Sequence, residues 1–363
     1  MEMRSRIVDS DLFNALAMSL YVTRASFWSK YKIFLLISSI RIASPFAYFS
    51  HFAALPYIRI VGLLLWQHAW HSDAKGFISI SAFTQYKEAY CHGVTMARDI
   101  LRKLERCAAQ SRSRVGIGVG NANTQLMRGV ARASRFSDVV LVGDVETAGR
   151  DAVKTAEPEQ KLVEMLVDGA IDAAVRGTIS ARKTLQHLKL RIGAGDICRA
   201  ALLSTAAGKQ FFLLPVGIDE GTSTIARAHL VKETAQLLIA LNVRPKVGVL
   251  SGGRSEDKGR TEAVDRTLAS AEALTEQLCG AGLDATNYNI LIEDATESSN
   301  ILVAPDGVSG NLIFRTLVFL GRGKGHGAPF FGIPYAFVDT SRSGVAFGDA
   351  IIMAGALSNL ARA

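Results

Sequence analysis

The sequence predicts an α/β protein whose mostly parallel sheet is covered by helices on both faces, and three observations lead to this prediction. From residue 96 onward, short apolar segments alternate with amphipathic ones in a strand, loop, helix order. The same part of the chain holds 29 of the 32 glycines. At 363 residues, with 49% apolar and 20% charged residues, the chain can bury a large core. This composition excludes the disordered, collagen-like and disulfide-knot classes.

The elements follow in order from residue 96. An amphipathic helix opens this part, with Ile100, Leu101, Leu104 and Cys107 on one face. Apolar runs predict strands at 115–119, 138–142, 171–175, 211–216, 246–250, 289–292, 301–304 and 330–333. Periodic segments predict helices at 124–133, 160–168, 223–241, 262–279, 312–320 and 349–360. Ligands of such sheets bind beyond the carboxyl ends of the strands, so the loops that follow strands are the candidate sites.

Residues 1–95 differ in composition from the rest and form a separate, aromatic-rich extension. They hold 17 of the 28 aromatic residues and all three tryptophans. Three interpretations stay open: an extension foreign to the natural protein, whose start would be Met96, a membrane-associating hairpin within residues 33–70, or a soluble extra domain. The first is favoured. The longest uncharged run, between Arg41 and Arg59, contains two prolines and is shorter than the roughly 20 apolar residues of a membrane span.

The cysteine content and the net charge indicate which compartment and which kinds of ligand suit this protein. The four cysteines show no CxxC spacing, which argues against a zinc site and fits a reducing, cytoplasmic compartment. The net charge of +8 comes from dispersed residues rather than from a basic block. It suits an anionic small molecule at least as well as nucleic acid, and we predict the small molecule as ligand, with no nucleic-acid partner. No metal site is predicted.

Two loops in the first half of this region are candidates. The glycines of the loop 116–121 resemble a nucleotide site only superficially, because they begin inside the strand, and close packing is the favoured interpretation. The loop after the strand 171–175 carries Arg176, Thr178 and Ser180. Its guanidinium and hydroxyl groups can bind a phosphate or carboxylate, or can simply belong to a helix start.

Three further loops carry candidate anion-binding or catalytic residues. The first is a glycine-rich basic turn with Ser251, Gly252, Gly253, Arg254 and Lys258, in which Glu256 and Asp257 oppose anion binding. The second contains Asp306, Gly310 and Asn311 and leads into a helix whose free N–H groups face the crevice. The third brings Ser341, Arg342 and Asp349 within nine residues. These three groups can clamp an oxyanion and accept a proton, or can cap a helix.

Taken in order, these loops resemble the phosphate acetyl/butyryltransferase family. FFLLPVGIDEG resembles the strand and turn before that family's central helix, and VLSGGRSEDKGR its LSFSTKGS-type loop. ILVAPDGVSGNLIFRTL resembles its PD-x-x-x-GN-x-x-[FY]-K segment, and DTSRSGVAFGDAI its D-L-SRG-x-x-x-x-D segment. The resemblance covers residues 96–363. PDGVSGNL and the compact length are more similar to the MtxX family of methanogenic archaea, described as methyltransferase subunit X and grouped with methanogenesis marker proteins.

The resemblance implies two α/β domains with a cleft between them, as in phosphate acetyltransferase and isocitrate dehydrogenase. The first would comprise residues 96–200 and 335–363, and the second residues 201–334. By position, Ser341 and Arg342 would contact phosphoryl and carbonyl oxygens, and Asp349 would deprotonate a thiol. The chain departs from the acyltransferase pattern in the spacing of Asp349, in Arg315 where the family has lysine, and at Arg176. These departures favour a different anionic ligand.

For function, the resemblance implies a cytoplasmic archaeal transferase. The leading interpretation is a methyltransferase subunit linked to methanogenesis, acting with partner subunits and as a homodimer. The alternatives are an acyltransferase that uses coenzyme A or a related phosphorylated thiol, and a non-catalytic binding or regulatory protein that keeps the same cleft.

Overall fold

The structure is a computed structural model that describes residues 99–145, 151–193, 197–341 and 346–362. All of them belong to one compact unit. Residues 33–70, for which a membrane-associating hairpin is one open interpretation, lie outside the described residues. Within the described ranges, every helix is too short or too polar to traverse a lipid bilayer.

The described residues form one twelve-stranded sheet. Its strands are β1 (Arg114–Val119), β2 (Asp138–Gly143), β3 (Ala152–Lys154), β4 (Ala173–Val175), β5 (Cys198–Arg199), β6 (Ala201–Ser204), β7 (Gln210–Leu214), β8 (Val247–Leu250), β9 (Ala285–Asn289), β10 (Ile301–Val303), β11 (Lys324–Phe331) and β12 (Ala336–Asp339). The strand order is β3-β2-β1-β4-β12-β11-β6-β7-β10-β8-β9, and β5 pairs with β11.

Two parallel blocks make up this sheet. Strands β3, β2, β1, β4 and β12 run parallel in the first block, and β7, β10, β8 and β9 in the second. The antiparallel strands β11 and β6 join the two blocks. Strands β4, β7, β8 and β10 are buried at every residue. Continuous burial explains why they read as unbroken apolar runs, since parallel strands are covered on both faces.

Nine α-helices lie within the described residues. They are α1 (Asp99–Ala108), α2 (Thr124–Ala133), α3 (Pro158–Val167), α4 (Ala181–Ile192), α5 (Thr224–Ala240), α6 (Glu262–Gly280), α7 (Ile292–Ser298), α8 (Gly307–Arg315) and α9 (Phe347–Arg362). The side chains of Asn123, Ser180, Ser223, Thr261 and Asp306 each accept a bond from a backbone N–H in the first turn of a helix. These caps satisfy donors that a helix cannot pair internally.

Helix α9 is apolar on nearly all sides. It is covered by α1, α2, strands of the first block and β11. Its residues Phe347, Ile351 and Met353 are buried in the same core cluster as strands of both blocks. A helix without a polar face is expected only where it is enclosed. The last helix of the chain therefore ties the first block to the β11 strand beside it.

The α/β class and mostly parallel sheet are confirmed, and so is the opening helix, whose Ile100, Leu104 and Cys107 are buried. One predicted strand, 289–292, is wrong. The strand β9 ends at Asn289, whose φ of 55° is left-handed, and α7 begins three residues later. Asparagine tolerates this conformation better than most residues and so ends a strand readily. The sequence analysis also missed β3, β5, β6, β12 and α7, which have two to seven residues each, and α4, in which only Thr184 and Leu188 are buried.

Candidate functional site

The carboxyl ends of β1, β4 and β12 are held together by three loops. The backbone N–H groups of Gly120 and Asn121 donate to Thr178 Oγ1 over 3.0 and 3.1 Å. Thr340 Oγ1 donates to the carbonyl of Gly177 over 2.8 Å. Gly177 has a φ of 64°, and a Cβ there would lie 2.0 Å from the Gly118 carbonyl oxygen. Three of the loops singled out in the sequence therefore meet at one edge of the sheet.

A buried ionic cluster connects this edge to the second block. Asp339, at the end of β12, accepts hydrogen bonds from Arg176 Nε and from Arg199 Nη1, the latter at 2.7 Å. Arg199 Nε donates to Glu220 Oε1 over 2.7 Å. Glu220 Oε2 also accepts from the N–H of Gly217 at 3.1 Å, in the turn after β7. The carboxyl ends of β12 and β7 are thus joined through alternating positive and negative side chains.

The electrostatics of this ionic cluster favour its charged state. Burial alone would raise the pKa of Asp339, but Arg176 and Arg199 outweigh it and hold that pKa below its usual range. Burial likewise opposes the charge of Arg199, yet Asp339 and Glu220 raise its pKa. Arg176 Nη1 donates to the Ile179 carbonyl over 2.8 Å, so two of its nitrogens have protein partners. Its predicted role as an anion ligand stays a prediction.

The loop after β10 packs directly on the turn after β7. Asp306 caps α8, with its Oδ1 accepting the N–H of Ser309 over 2.7 Å, and Asn311 Nδ2 donates to the Val216 carbonyl over 3.0 Å. A Cβ at Gly310 would lie 1.9 Å from the Pro215 carbonyl oxygen. Glycine is therefore required for this close approach.

The glycine-rich loop after β8 is partly ordered by its own hydrogen bonds. Ser251 is buried and its Oγ donates to the Gly253 carbonyl over 2.9 Å. The N–H of Gly252 donates to Thr267 Oγ1 over 2.9 Å. Arg254 and Lys258 are exposed, and the opposing Asp257 is paired with Arg260 at 2.6 Å. Pairing of that carboxylate reduces the negative charge facing an anion, which is compatible with the predicted binding of an anion by this loop.

Asp349 is held in a buried polar network rather than standing alone as a cap. Its Oδ2 lies 2.7 Å from His326 Nδ1, and its Oδ1 accepts a bond from Arg132 Nη1. His326 Nε2 lies 2.9 Å from Ser204 Oγ. Burial opposes ionisation of Asp349, but the hydrogen bond and charge of His326, together with Arg132, lower its pKa. Both carboxylate oxygens have partners, and a lowered pKa makes this group a weaker proton acceptor.

The remaining predicted residues lie at different places. Ser180 caps α4 and its N–H donates to Glu159 Oε1 over 2.9 Å. Ser341 is half-buried at the start of the loop between β12 and α9, whereas Arg342 lies outside the described residues. Among the described residues, no group of three or more histidine, cysteine, aspartate or glutamate side chains could hold a metal ion.

Sequence reasoning missed five residues of these two networks. They are Arg132, Arg199, Ser204, Glu220 and His326. Only two carried a local signal: Glu220 belongs to the quoted FFLLPVGIDEG segment, and His326 interrupts an apolar strand between two glycines. A lone histidine within a buried strand needs polar partners, so its position could have indicated a network.

The comparisons with known proteins agree with this architecture. No family model matches the chain. The chain is similar to "Putative methyltransferase mtx subunit X" of Methanosarcina acetivorans, 47% identical over 268 residues that cover 72% of this chain and 96% of that protein. The protein of the same name from Methanosarcina mazei is 45% identical over 268 residues, with the same coverage.

Solved structures of low sequence identity share the fold. A branched-chain phosphotransacylase from Enterococcus faecalis superposes with a TM-score of 0.53 at 18% identity, covering 68% of this chain and 99% of that one. A phosphotransacetylase from Streptococcus pyogenes gives a TM-score of 0.53 at 16% identity, covering 70% of this chain and 96% of that one. At these identities the likeness concerns the fold alone.

Proposed function

This chain belongs to the methyltransferase mtx subunit X family, and from that premise we propose that it is a transferase component of methyl-group transfer linked to methanogenesis. It acts with partner subunits and binds an anionic small molecule. The observation that supports the proposal best is the identity of 45–47% across 96% of relatives named as a subunit. A subunit exerts its activity within an assembly, so the partners are part of the proposal.

The proposed ligand site lies where the loops of the two blocks approach each other. The ionic cluster of Asp339, Arg199 and Glu220 connects the two sides. Thr178 and Ser341 contribute hydroxyl groups from the first side, and Arg342, the next residue in the sequence after Ser341, is the proposed guanidinium ligand. The second side contributes the residues around Ser251, Gly252, Gly253, Arg254 and Lys258, and those around Asp306, Gly310 and Asn311. Such groups bind phosphate or carboxylate oxygens, and coenzyme A or a related phosphorylated thiol is the proposed ligand class.

The acyltransfer alternative has weaker support from the geometry. It requires Asp349 to accept a thiol proton, whereas both of its oxygens have partners in the buried network with His326 and Arg132. The fold shared with phosphotransacylases is not evidence for acyl transfer by this chain, because proteins of one fold catalyse many different reactions. A third alternative, a non-catalytic binding protein, predicts ligand binding without turnover.

Two experiments test the proposal. In the first, the tagged chain is incubated with extract of Methanosarcina acetivorans, and we expect corrinoid or coenzyme M methyltransferase subunits to be retained. Retention of none of them would contradict the subunit assignment. In the second, acetyl phosphate formation from acetyl-CoA is assayed, and we expect none. Turnover in this assay would instead support the acyltransferase alternative.

The ligand site is tested by melting temperature in the presence of coenzyme A, phosphate and methylated thiols. Arg342→Ala should weaken binding of a phosphorylated ligand by about 1.5 to 3 kcal/mol, the range for a hydrogen bond to a charged group. Arg244→Ala is the matched control, because Arg244 is 78% exposed and pairs with Asp284 before β8, away from the proposed site. Equal affinity in Arg342→Ala and the parent chain would show that this arginine takes no part in binding.

A further inference from the structure

A pocket of about 570 Å³ opens in the second block, at the carboxyl ends of β8 and β10 and between α5 and α6. None of the site residues predicted from the sequence lines it. Its lining includes the hydroxyl residues Thr222, Ser223, Thr224, Thr267 and Ser270. Apolar side chains of β8, α6 and the end of β10 complete the lining. A volume of this size is typical of small-molecule sites.

Arg227 makes this pocket unusual. It is only 7% exposed and lines the pocket wall from α5. Its Nη1 donates to the Pro305 carbonyl and its Nη2 to Ser270 Oγ, at 2.5 Å, while its Nε has no partner among the described residues. Burial lowers the pKa of Arg227, and the more distant charge of Asp306 opposes this only in part.

No carboxylate of the described residues forms an ion pair with Arg227. This contrasts with the buried Arg176 and the half-buried Arg199, which are both paired with Asp339. A buried charge without a counter-charge is costly, and proteins keep one mainly where a partner is supplied. The pocket beside Arg227 is the place from which an external anion can supply it.

Two further features add positive potential on the same side. The pocket includes the first turn of α5, where Ser223 caps the helix by accepting the N–H of Ala226 over 3.1 Å. The preceding N–H groups of that turn have no acceptor within the helix, and they favour an anion there. Arg266 also lines the pocket from α6, and it is 68% exposed while pairing with Glu262 at 2.7 Å.

We propose that this pocket binds the phosphoryl group of a small molecule whose apolar part lies against Val249, Leu250 and Leu274. The phosphoryl oxygens accept from the α5 N–H groups, from the hydroxyls of Thr222, Ser223 and Ser270, and from the arginines. This arrangement suits a tetrahedral oxyanion with three acceptor oxygens. The pocket adjoins the loops after β8 and β10, because Leu250 and Pro305 line it. None of the residues named for the proposed function lines it, so its occupation does not depend on that proposal.

The test measures binding of n-butyl phosphate, inorganic phosphate and butyrate to the full chain by isothermal titration calorimetry. We expect saturable binding of butyl phosphate, tighter than that of inorganic phosphate because only the former has an apolar part. Arg266→Ala and Ser270→Ala, which remove one ligand-facing group each, should weaken it about tenfold, equivalent to about 1.4 kcal/mol. Arg227→Met should abolish it. Arg244→Ala should leave it within twofold.

Several outcomes would overturn the proposal. These are the absence of saturable butyl phosphate binding, tighter binding of butyrate than of butyl phosphate, or unchanged affinity in both Arg266→Ala and Ser270→Ala. Arg266→Ala and Ser270→Ala test the proposal even if Arg227→Met does not fold. If binding is instead lost only in Arg342→Ala, the anion occupies the loops of the proposed function and this pocket is not its site. If butyl phosphate binding is lost in the Arg227, Arg266 and Ser270 variants but not in Arg342→Ala, the pocket and the loops of the proposed function are two distinct sites.

Discussion

His326 Nδ1 lies 2.7 Å from Asp349 Oδ2, and this buried contact links β11 to the first turn of α9. The other ring nitrogen, Nε2, lies 2.9 Å from the hydroxyl oxygen of Ser204, within hydrogen-bond distance. All three residues are less than 9% exposed. The pair therefore holds the antiparallel strands between the two blocks against the helix that closes the first block.

The first prediction concerns Asp349→Asn. Loss of the charge leaves Arg132 and His326 with a poorer partner, so we expect the free energy of unfolding in urea to fall by about 1 to 3 kcal/mol. Glu105→Gln is the control, because Glu105 meets Arg132 near the surface at 2.6 Å and should cost less than about 1 kcal/mol. If the variant instead keeps its stability but loses about 100-fold or more of an acyltransfer activity, Asp349 is a proton acceptor after all.

The second prediction concerns acid stability. The pKa of Asp339 is lowered in the folded state because Arg176 and Arg199 outweigh the effect of burial. The unfolded side chain titrates at about pH 3.9. The stabilisation is therefore fully present above about pH 4 and is lost as the pH falls through the lower pKa of the folded state. Urea unfolding between neutral pH and pH 2 should show this loss.

Asp339→Asn tests the origin of that loss. It leaves the buried Arg176 without a counter-charge and Arg199 with Glu220 as its remaining one, so the stability at pH 7 should fall by about 3 to 5 kcal/mol. The decline of stability with acid should also become shallower than in the parent chain. Asp138→Asn is the control, since Asp138 is 62% exposed and pairs with Arg112 on the surface. An unchanged acid profile in Asp339→Asn would assign the acid sensitivity to other carboxylates.

The third prediction concerns Gly310→Ala. The added Cβ would lie 1.9 Å from the Pro215 carbonyl oxygen, so α8 must move off the turn after β7, at a cost of about 1 to 3 kcal/mol. Gly280→Ala at the end of α6 meets no atom within 4 Å and should be neutral or stabilising by up to about 1 kcal/mol. Thermal unfolding of the two variants compares them directly, and equal melting temperatures would disprove the close approach.

The fourth prediction concerns residues 1–95. The relatives of the mtx subunit X family match 72% of the chain, and the core described above begins at Ile100. We expect the chain that starts at Met96 to keep the melting temperature of the full chain. A marked fall in melting temperature on this truncation would show that the aromatic-rich segment contributes to the core.

Local sequence determined much of this fold, because apolar spacing reports burial directly. The face of α1 is an example: Ile100, Leu104 and Cys107 recur at helical spacing and are all buried. The helix predicted at 124–133 coincides with α2, whose start is marked by the capping Asn123. The order of strand, loop and helix also located the loops that gather at the carboxyl ends of the strands, since parallel strands place those ends together.

Only the tertiary structure decided which charges meet. Arg199 and Asp339 are 140 residues apart in sequence, and Arg132 and Asp349 are 217 apart. The periodicity of apolar residues does not predict such pairs. A hydrogen bond depends on where the folded backbone places two side chains and not on their separation in the sequence. The same reason applies to Arg227. The sequence places it on an ordinary helix, and only the packing of α5 against α6 and the end of β10 encloses its charge beside a pocket.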